Sequence, residues 1–201
     1  MSNPRRGKVA LVYRHITSPV GPLLAVASRR GLAALSFEPE ATLEQLGLAT
    51  PRTAAPSEAK QAQVDHPGVE ILDQVETQLS EYFAGQRHSF ALVLDLLPTF
   101  EVDEGGPEVP NPWVSASGRF RQTVQVALSG IPYGQTASYG RVAELVGHPR
   151  AARAVGSACA TNPLPIILPC HRVTKADGSL GNYTGGTEIK RALLDLERPR
   201  T

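Results

Sequence analysis

The chain has 201 residues, 41% hydrophobic and 19% charged, a composition that supports a folded core and excludes a disordered tract. No apolar run approaches the ~18 residues of a membrane span. The opening MSNPRRGKVA lacks the apolar stretch of a secretion signal, and the two cysteines, Cys159 and Cys170, form no CxxC pair. A cytoplasmic, membrane-free protein with no disulfide scaffold, metal or cofactor is therefore expected. The net charge of +1 hides a split: residues 1–117 carry 9 basic and 14 acidic side chains, and residues 118–201 carry 11 and 5. A basic C-terminal half is suited to a polyanion, or is a solvated surface clustered by chance.

Alternating apolar residues at Val9, Leu11 and Tyr13 open a three-strand meander. The Ser18–Pro22 turn leads to Leu23–Ala27, and Arg29-Arg30-Gly31 leads to Leu32–Phe37. Residues 49–67 read as a Pro- and Ala-rich loop. Val69, Leu72, Val75, Leu79 and Phe83 then share one helical stripe that Gly85 ends. Ser89–Leu97 reads as a further strand, which completes an α+β domain over 1–97. Residues 98–117 hold four acidic residues, no basic ones, four prolines and two glycines. They read as a linker or long surface loop, with Trp113 packing on a neighbouring domain.

From Gly118 the pattern turns helical and defines a second domain over 118–201. Phe120, Val124, Ala127, Leu128 and Ile131 form a stripe that stops at Gly130-Ile131-Pro132. Ser138 is a candidate N-cap for Tyr139–Val146, with Gly147 just past the helix end. A turn at His148-Pro149 precedes a second helix over Arg150–Ala160. Helix, short turn, helix is the spacing of a helix-turn-helix, and equally of any αα-corner. Small residues dominate the second helix at Ala151, Ala152, Ala154, Gly156, Ser157, Ala158 and Ala160, with Arg153 as the long side chain among them. Such a surface allows close approach to nucleic acid or to another helix.

Asn162 to Val173 is the most specific stretch. Pro163, Pro165 and Pro169 favour extended backbone around Ile166, Ile167 and Leu168 and so deliver Cys170 to a fixed place. A free thiol is only a few per cent thiolate at neutral pH, and the adjacent His171 and Arg172 offer a base and a cation to raise that fraction. Cys159, in the small-residue helix, reads as core. Asp177-Gly178 is a hairpin-type turn. The Gly181–Gly186 loop lacks the Lys and spacing of a phosphate loop. Thr187 is read as the cap of a last helix with Ile189, Ala192, Leu193 and Leu196 on one face, and Glu197 at its end is a carboxylate that could orient His171.

The runs Ile131-Pro132-Tyr133-Gly134, Ser138-Tyr139-Gly140, Ala152–Gly156, Asn162-Pro163, Pro169–Val173 and Gly181–Gly186 resemble the O6-alkylguanine-DNA alkyltransferase family in type and spacing, as does Lys190…Leu193-Leu194…Glu197. The meander and Leu79…Tyr82-Phe83-Ala84-Gly85 resemble its first domain more loosely. The resemblance implies a ribonuclease-H-like antiparallel sheet with a helix, followed by a mostly helical, winged-helix-like domain with a helix-turn-helix. It implies a monomer acting on double-stranded DNA that carries O6-alkylguanine or O4-alkylthymine, and single-turnover transfer of the alkyl group to Cys170. His171 would take the thiol proton through a water, polarised by Glu197. Asn162 would brace the site and Tyr183 would hydrogen-bond the guanine. Val173, Thr184 and Gly185 would line the pocket. Ala152, Ala154 and Gly156 would sit in the minor groove, while Arg153 fills the stack vacated by a flipped nucleotide and Tyr139 turns its phosphate.

Two family positions differ. The family usually has Phe-Gln where this chain has Phe120-Arg121, and often a Trp at Gln125. The acidic 98–117 segment has no counterpart in the resemblance. A lesion sensor without chemistry would replace the Cys, which the intact Pro169-Cys170-His171-Arg172 argues against. A helix-turn-helix regulator would carry base-reading side chains on its second helix, which are scarce here. A cysteine hydrolase would turn over repeatedly.

Overall fold

The computed structural model describes residues 11–48, 66–96 and 116–198. Val9, Trp113, residues 49–65 and most of the acidic segment lie outside the described residues.

Strands β1 (Val12–Ile16), β2 (Leu23–Ala27) and β3 (Leu32–Ser36) form an antiparallel meander in that order. β2 is buried along its whole length. One face packs on Leu72, Val75, Leu79 and Tyr82 of helix α2 (Gly68–Phe83). The other packs Leu24 and Val26 against Leu43 of helix α1 (Pro39–Gln45). Apolar periodicity predicts no helix at α1, although Pro39 in its first turn is a start signal.

The expected strand over 89–97 does not form. Its described part makes a single parallel bridge, Leu32 to Leu94. The reason is a competing partner: the Gln78 amide donates to Ala91 O (3.0 Å) and accepts from Ala91 N (2.8 Å). Asp95 is held by Ser28 Oγ at 2.7 Å and by Arg30. The Ala91 backbone groups that would have extended a ladder are taken by a side chain, and among the described residues only Val93 O and Asp95 N pair with the Leu32 backbone.

The second domain begins with α3 (Ala116–Leu128), which starts inside the stretch read as linker. Strand β4 (Ala137–Ser138) runs straight into α4 (Tyr139–Leu145), where Ser138 Oγ accepts from Arg141 N at 3.1 Å as the expected N-cap. Gly147, at φ +77, turns the chain out of α4 in a conformation disfavoured for other residues. Helix α5 (Ala152–Ala160) follows. Val124, Leu128, Val142, Ala143, Val155, Ala158 and Cys159 form the core of this three-helix unit. Gln125 is buried in it and donates to Ala158 O (3.2 Å) and Thr161 O (3.1 Å). It thereby satisfies carbonyls at the end of α5, which a Trp there could not do in that way.

After α5 the expected extended run also differs. Residues 163–168 form a turn in which Leu168 N donates to Leu164 O at 2.8 Å and Ile166 takes φ +73. A β-branched residue in this region is strained. The position is held by complete burial, with Leu164, Ile166, Ile167 and Leu168 packed into the first domain's core and Leu35 N donating to Pro163 O at 2.8 Å. The three prolines stiffen a fold-back rather than an extended strand.

The chain then makes one 3-10 turn (Cys170–Arg172) and strand β5 (Val173–Thr174), which pairs in parallel with β4. Helix α6 (Gly186–Leu196) begins with Gly185 as N-cap and no side-chain cap. The Tyr183–Gly186 turn feeds the chain into the helix before Thr187, so Thr187 lies inside it.

Candidate active site

The pairing Ala137↔Val173 and Ser138↔Thr174 ties the start of the helix-turn-helix to the segment leaving Cys170. Cys170 is 2% exposed. Asn162 Nδ2 donates to its sulfur at 3.1 Å and to Leu168 O at 2.7 Å, while Asn162 Oδ1 accepts from Leu164 N at 3.1 Å. One amide thus locks the fold-back and touches the Cys170 sulfur.

Burial pushes the Cys170 thiol up to about 11, against smaller opposing effects of Asn162, Lys190 and a backbone N–H. The sulfur is therefore a neutral thiol at rest and needs a base at the moment of attack. Arg172 is not the activating cation that its place in the sequence suggested. Its guanidinium turns away to Glu197, with Nε to Oε2 at 2.8 Å and Nη2 to Oε1 at 2.9 Å, and to Ile131 O at 2.6 Å.

His171 is fully buried, and its Nε2 lies 2.8 Å from Glu197 Oε1. Glu197 is 1% exposed. Although burial opposes its charge, the hydrogen bonds from His171, Arg172 and Tyr82 hold its carboxyl down at about 2. An ionised carboxylate only accepts, so His171 Nε2 carries the proton and Nδ1 is the basic nitrogen. Burial lowers the His171 pKa, which keeps the ring neutral. Nδ1 is buried and makes no hydrogen bond among the described residues, and the same holds for the Tyr183 hydroxyl. Burial raises the Tyr183 pKa well above its ordinary value, which leaves the phenol a donor.

The sequence reading missed four contributors. Tyr82 of α2 donates to Glu197 Oε1 at 2.7 Å, and Gly134 N donates to Oε2 at 3.2 Å. Lys190, fully buried on α6, donates to Val173 O at 2.6 Å. Phe37, just after β3, packs edge-on to Tyr183 with ring centroids 5.7 Å apart. The Phe37 ring also lies where a side chain at Gly185 would be, 2.8 Å from that position. The run Lys190…Leu193-Leu194…Glu197 marks Lys190, and Leu79…Tyr82-Phe83-Ala84-Gly85 marks Tyr82 without giving it a role, but no local pattern marks Phe37; Tyr82 and Phe37 reach the site from the other domain.

Cys170, His171, Asn162 and Glu197 therefore come together, with Val173 buried beside them in the second core and Tyr183 against both cores. Thr184 is exposed and Gly185 half-buried on the adjoining loop. Tyr139 is half-buried against Gly181, where any side chain would collide with its ring and hydroxyl. Arg153 and Ala154 stand exposed on α5, with Ala152 and Gly156 partly covered. They form an outer surface rather than part of the thiol site. No cluster of metal-ligating side chains occurs among the described residues.

A buried cysteine beside a histidine–carboxylate pair, tied through β4 and β5 to a helix-turn-helix, defines a class of protein suited to thiol chemistry. The comparisons give the family. Residues 11–96 match the ribonuclease-like domain, and residues 119–199 the DNA-binding domain, of 6-O-methylguanine DNA methyltransferase. The methylated-DNA–protein-cysteine methyltransferase of Mycobacterium tuberculosis (strain ATCC 25618 / H37Rv) is 39% identical over 193 residues, covering 94% of this chain and 93% of that one. The constitutive enzyme of that name from Bacillus subtilis (strain 168) is 42% identical over 135 residues, 67% and 70% of the two chains. The crystal structure of the M. tuberculosis O6-methylguanine methyltransferase superposes with a TM-score of 0.66 at 38% identity, covering 96% and 95%. The M. tuberculosis protein in complex with DNA gives 0.65 at 37% identity, covering 92% of each chain. This chain belongs to the 6-O-methylguanine DNA methyltransferase family, whose members repair DNA by moving an alkyl group onto a cysteine of their own.

Proposed function

We propose that this protein moves the alkyl group of O6-alkylguanine in duplex DNA onto Cys170, once per molecule. The observation that carries this reading is Cys170 held by Asn162 next to the neutral, Glu197-paired His171.

In this reading a water relays the Cys170 proton to His171 Nδ1, and the imidazolium that forms is stabilised by Glu197. The sulfur attacks the alkyl carbon, an S–C bond forms and the C–O6 bond breaks. The electron pair goes to the guanine, which takes up a proton at its ring nitrogen and leaves as ordinary guanine. The Tyr183 hydroxyl donates a hydrogen bond to the departing base. No hydride or metal is needed, and the thioether product has no leaving group, so the thiol is not regenerated.

The target carbon is inaccessible in a stacked duplex, so the nucleotide is extruded. The small residues Ala152, Ala154 and Gly156 allow α5 to approach the minor groove, Arg153 fills the vacated stack, and Tyr139 acts on the phosphate. The damaged base, not its sequence context, is then what is read. The protein acts as a monomer in the cytoplasm. In the test of this reading, Cys170→Ala abolishes methyl transfer from O6-methylguanine DNA while binding of that DNA persists. Transfer at the unaltered rate would refute it.

A further inference from the structure

Glu197 accepts hydrogen bonds from both domains. Arg172 and Gly134 N–H come from the second domain, and Tyr82 comes from α2 of the first. Tyr82 is fully buried, and its hydroxyl meets Oε1, the same oxygen that His171 Nε2 uses. Its ring sits among Phe83, Phe90 and Tyr133, at centroid distances of 5.3, 5.4 and 6.1 Å. The hydroxyl is thus aimed by packing, and rotation away would strand it in an apolar cluster.

We propose that Tyr82 is a positioning residue through which the first domain sets the basicity of His171. By occupying Oε1 it withdraws part of the carboxylate's charge from the imidazole, which stays neutral and available as a base. The proposal rests on the alkyl-transfer reading.

The other groups facing this network act in known directions. Arg172 and Lys190 lower the His171 pKa by their charge, and Glu197 raises it. Tyr133 donates to Leu196 O at 3.2 Å, with His88 stacked on its ring at 4.1 Å and the Arg172 guanidinium 5.8 Å from its centroid. Tyr183 lies 6.3 Å from the His171 ring and remains a neutral phenol. Cys170 is a neutral thiol at rest. None of these meets Oε1 as Tyr82 does, apart from Arg172 and His171 themselves.

Removing the Tyr82 hydroxyl leaves more negative charge on Oε1 for His171, so the imidazolium is favoured and the His171 pKa rises. The test is the pH dependence of single-turnover methyl transfer from O6-methylguanine DNA by the full chain, for the unaltered protein, Tyr82→Phe and Phe90→Leu. Transfer by the unaltered protein establishes the underlying reaction separately. With Tyr82→Phe the acidic limb moves to higher pH by on the order of one unit, while the alkaline plateau changes little. Phe90→Leu, which loosens the same aromatic cluster without touching Glu197, lowers the melting temperature and leaves the limb in place. A limb unmoved in Tyr82→Phe overturns the proposal, as does an equal movement in Phe90→Leu. Should Tyr82→Phe fold poorly, the imidazole nitrogen NMR shifts of its folded fraction give the same comparison: a His171 pKa no higher than in the unaltered protein overturns it.

Discussion

The Asn162 amide nitrogen lies 3.1 Å from Cys170 Sγ, and the same nitrogen lies 2.7 Å from Leu168 O. The contact couples the shape of the 163–169 fold-back to the electrostatics of the nucleophile. As sulfur gains charge, a donor already in place stabilises it without reorganisation.

Asn162→Ala removes that donor and leaves Leu164 N buried without its partner, while Leu168 O keeps the hydrogen bond from Cys170 N. The expected cost is about 2 kcal/mol of stability and roughly a tenfold slower transfer. Denaturant unfolding and single-turnover kinetics measure the two effects. Transfer at the normal rate would show that the amide serves the fold alone.

Much of the scaffold was legible because it follows from local periodicity. The meander, α2 and the Ser138-capped α4 all have apolar spacing or a capping residue within a few positions. The segment over 89–97 has the alternation of a strand, but the backbone of Ala91 is claimed by Gln78 from another element. The fold-back before Cys170 is not legible locally, because proline alone favours extension and the opposing force is burial in the other domain's core. In the site, motif spacing marked Cys170, His171, Asn162 and Glu197. Tyr82 stands in the Leu79…Gly85 motif, but its contact with Glu197 is not legible there, because the partner is 115 residues away and the contact exists only once the domains pack.

Acid stability follows from Glu197. Its folded pKa of about 2 lies below the ordinary 4.5, so its contribution is fully present above pH 4.5 and is lost as pH falls toward 2. The amount at stake is about 3 kcal/mol, since the group is almost fully buried. His171 acts in the same sense: its folded pKa is depressed, so stability declines as pH falls below its ordinary 6.5. Glu197→Gln removes the lower part of this pH dependence. It also strands the Arg172 charge, so the variant is less stable at neutral pH by about 3 kcal/mol or more. Urea unfolding across pH checks both; an unchanged acid slope would contradict the assignment.

Arg153 is exposed on α5, and Arg153→Ala is expected to change stability by no more than about 0.5 kcal/mol. Transfer from duplex DNA falls, while transfer from free O6-methylguanine base is spared. Equal losses on both substrates would remove the stack-filling role. Binding of undamaged duplex weakens as salt rises, because the basic half displaces counterions. An affinity independent of salt would contradict that electrostatic origin.

Intact-mass analysis after incubation with O6-methylguanine DNA tests Cys170 as the acceptor most directly. The expected result is one methyl per protein molecule, mapped to Cys170 by peptide fragmentation, with no further gain on longer incubation. An unmodified protein, a methyl mapped to Cys159, or repeated release of product would contradict it.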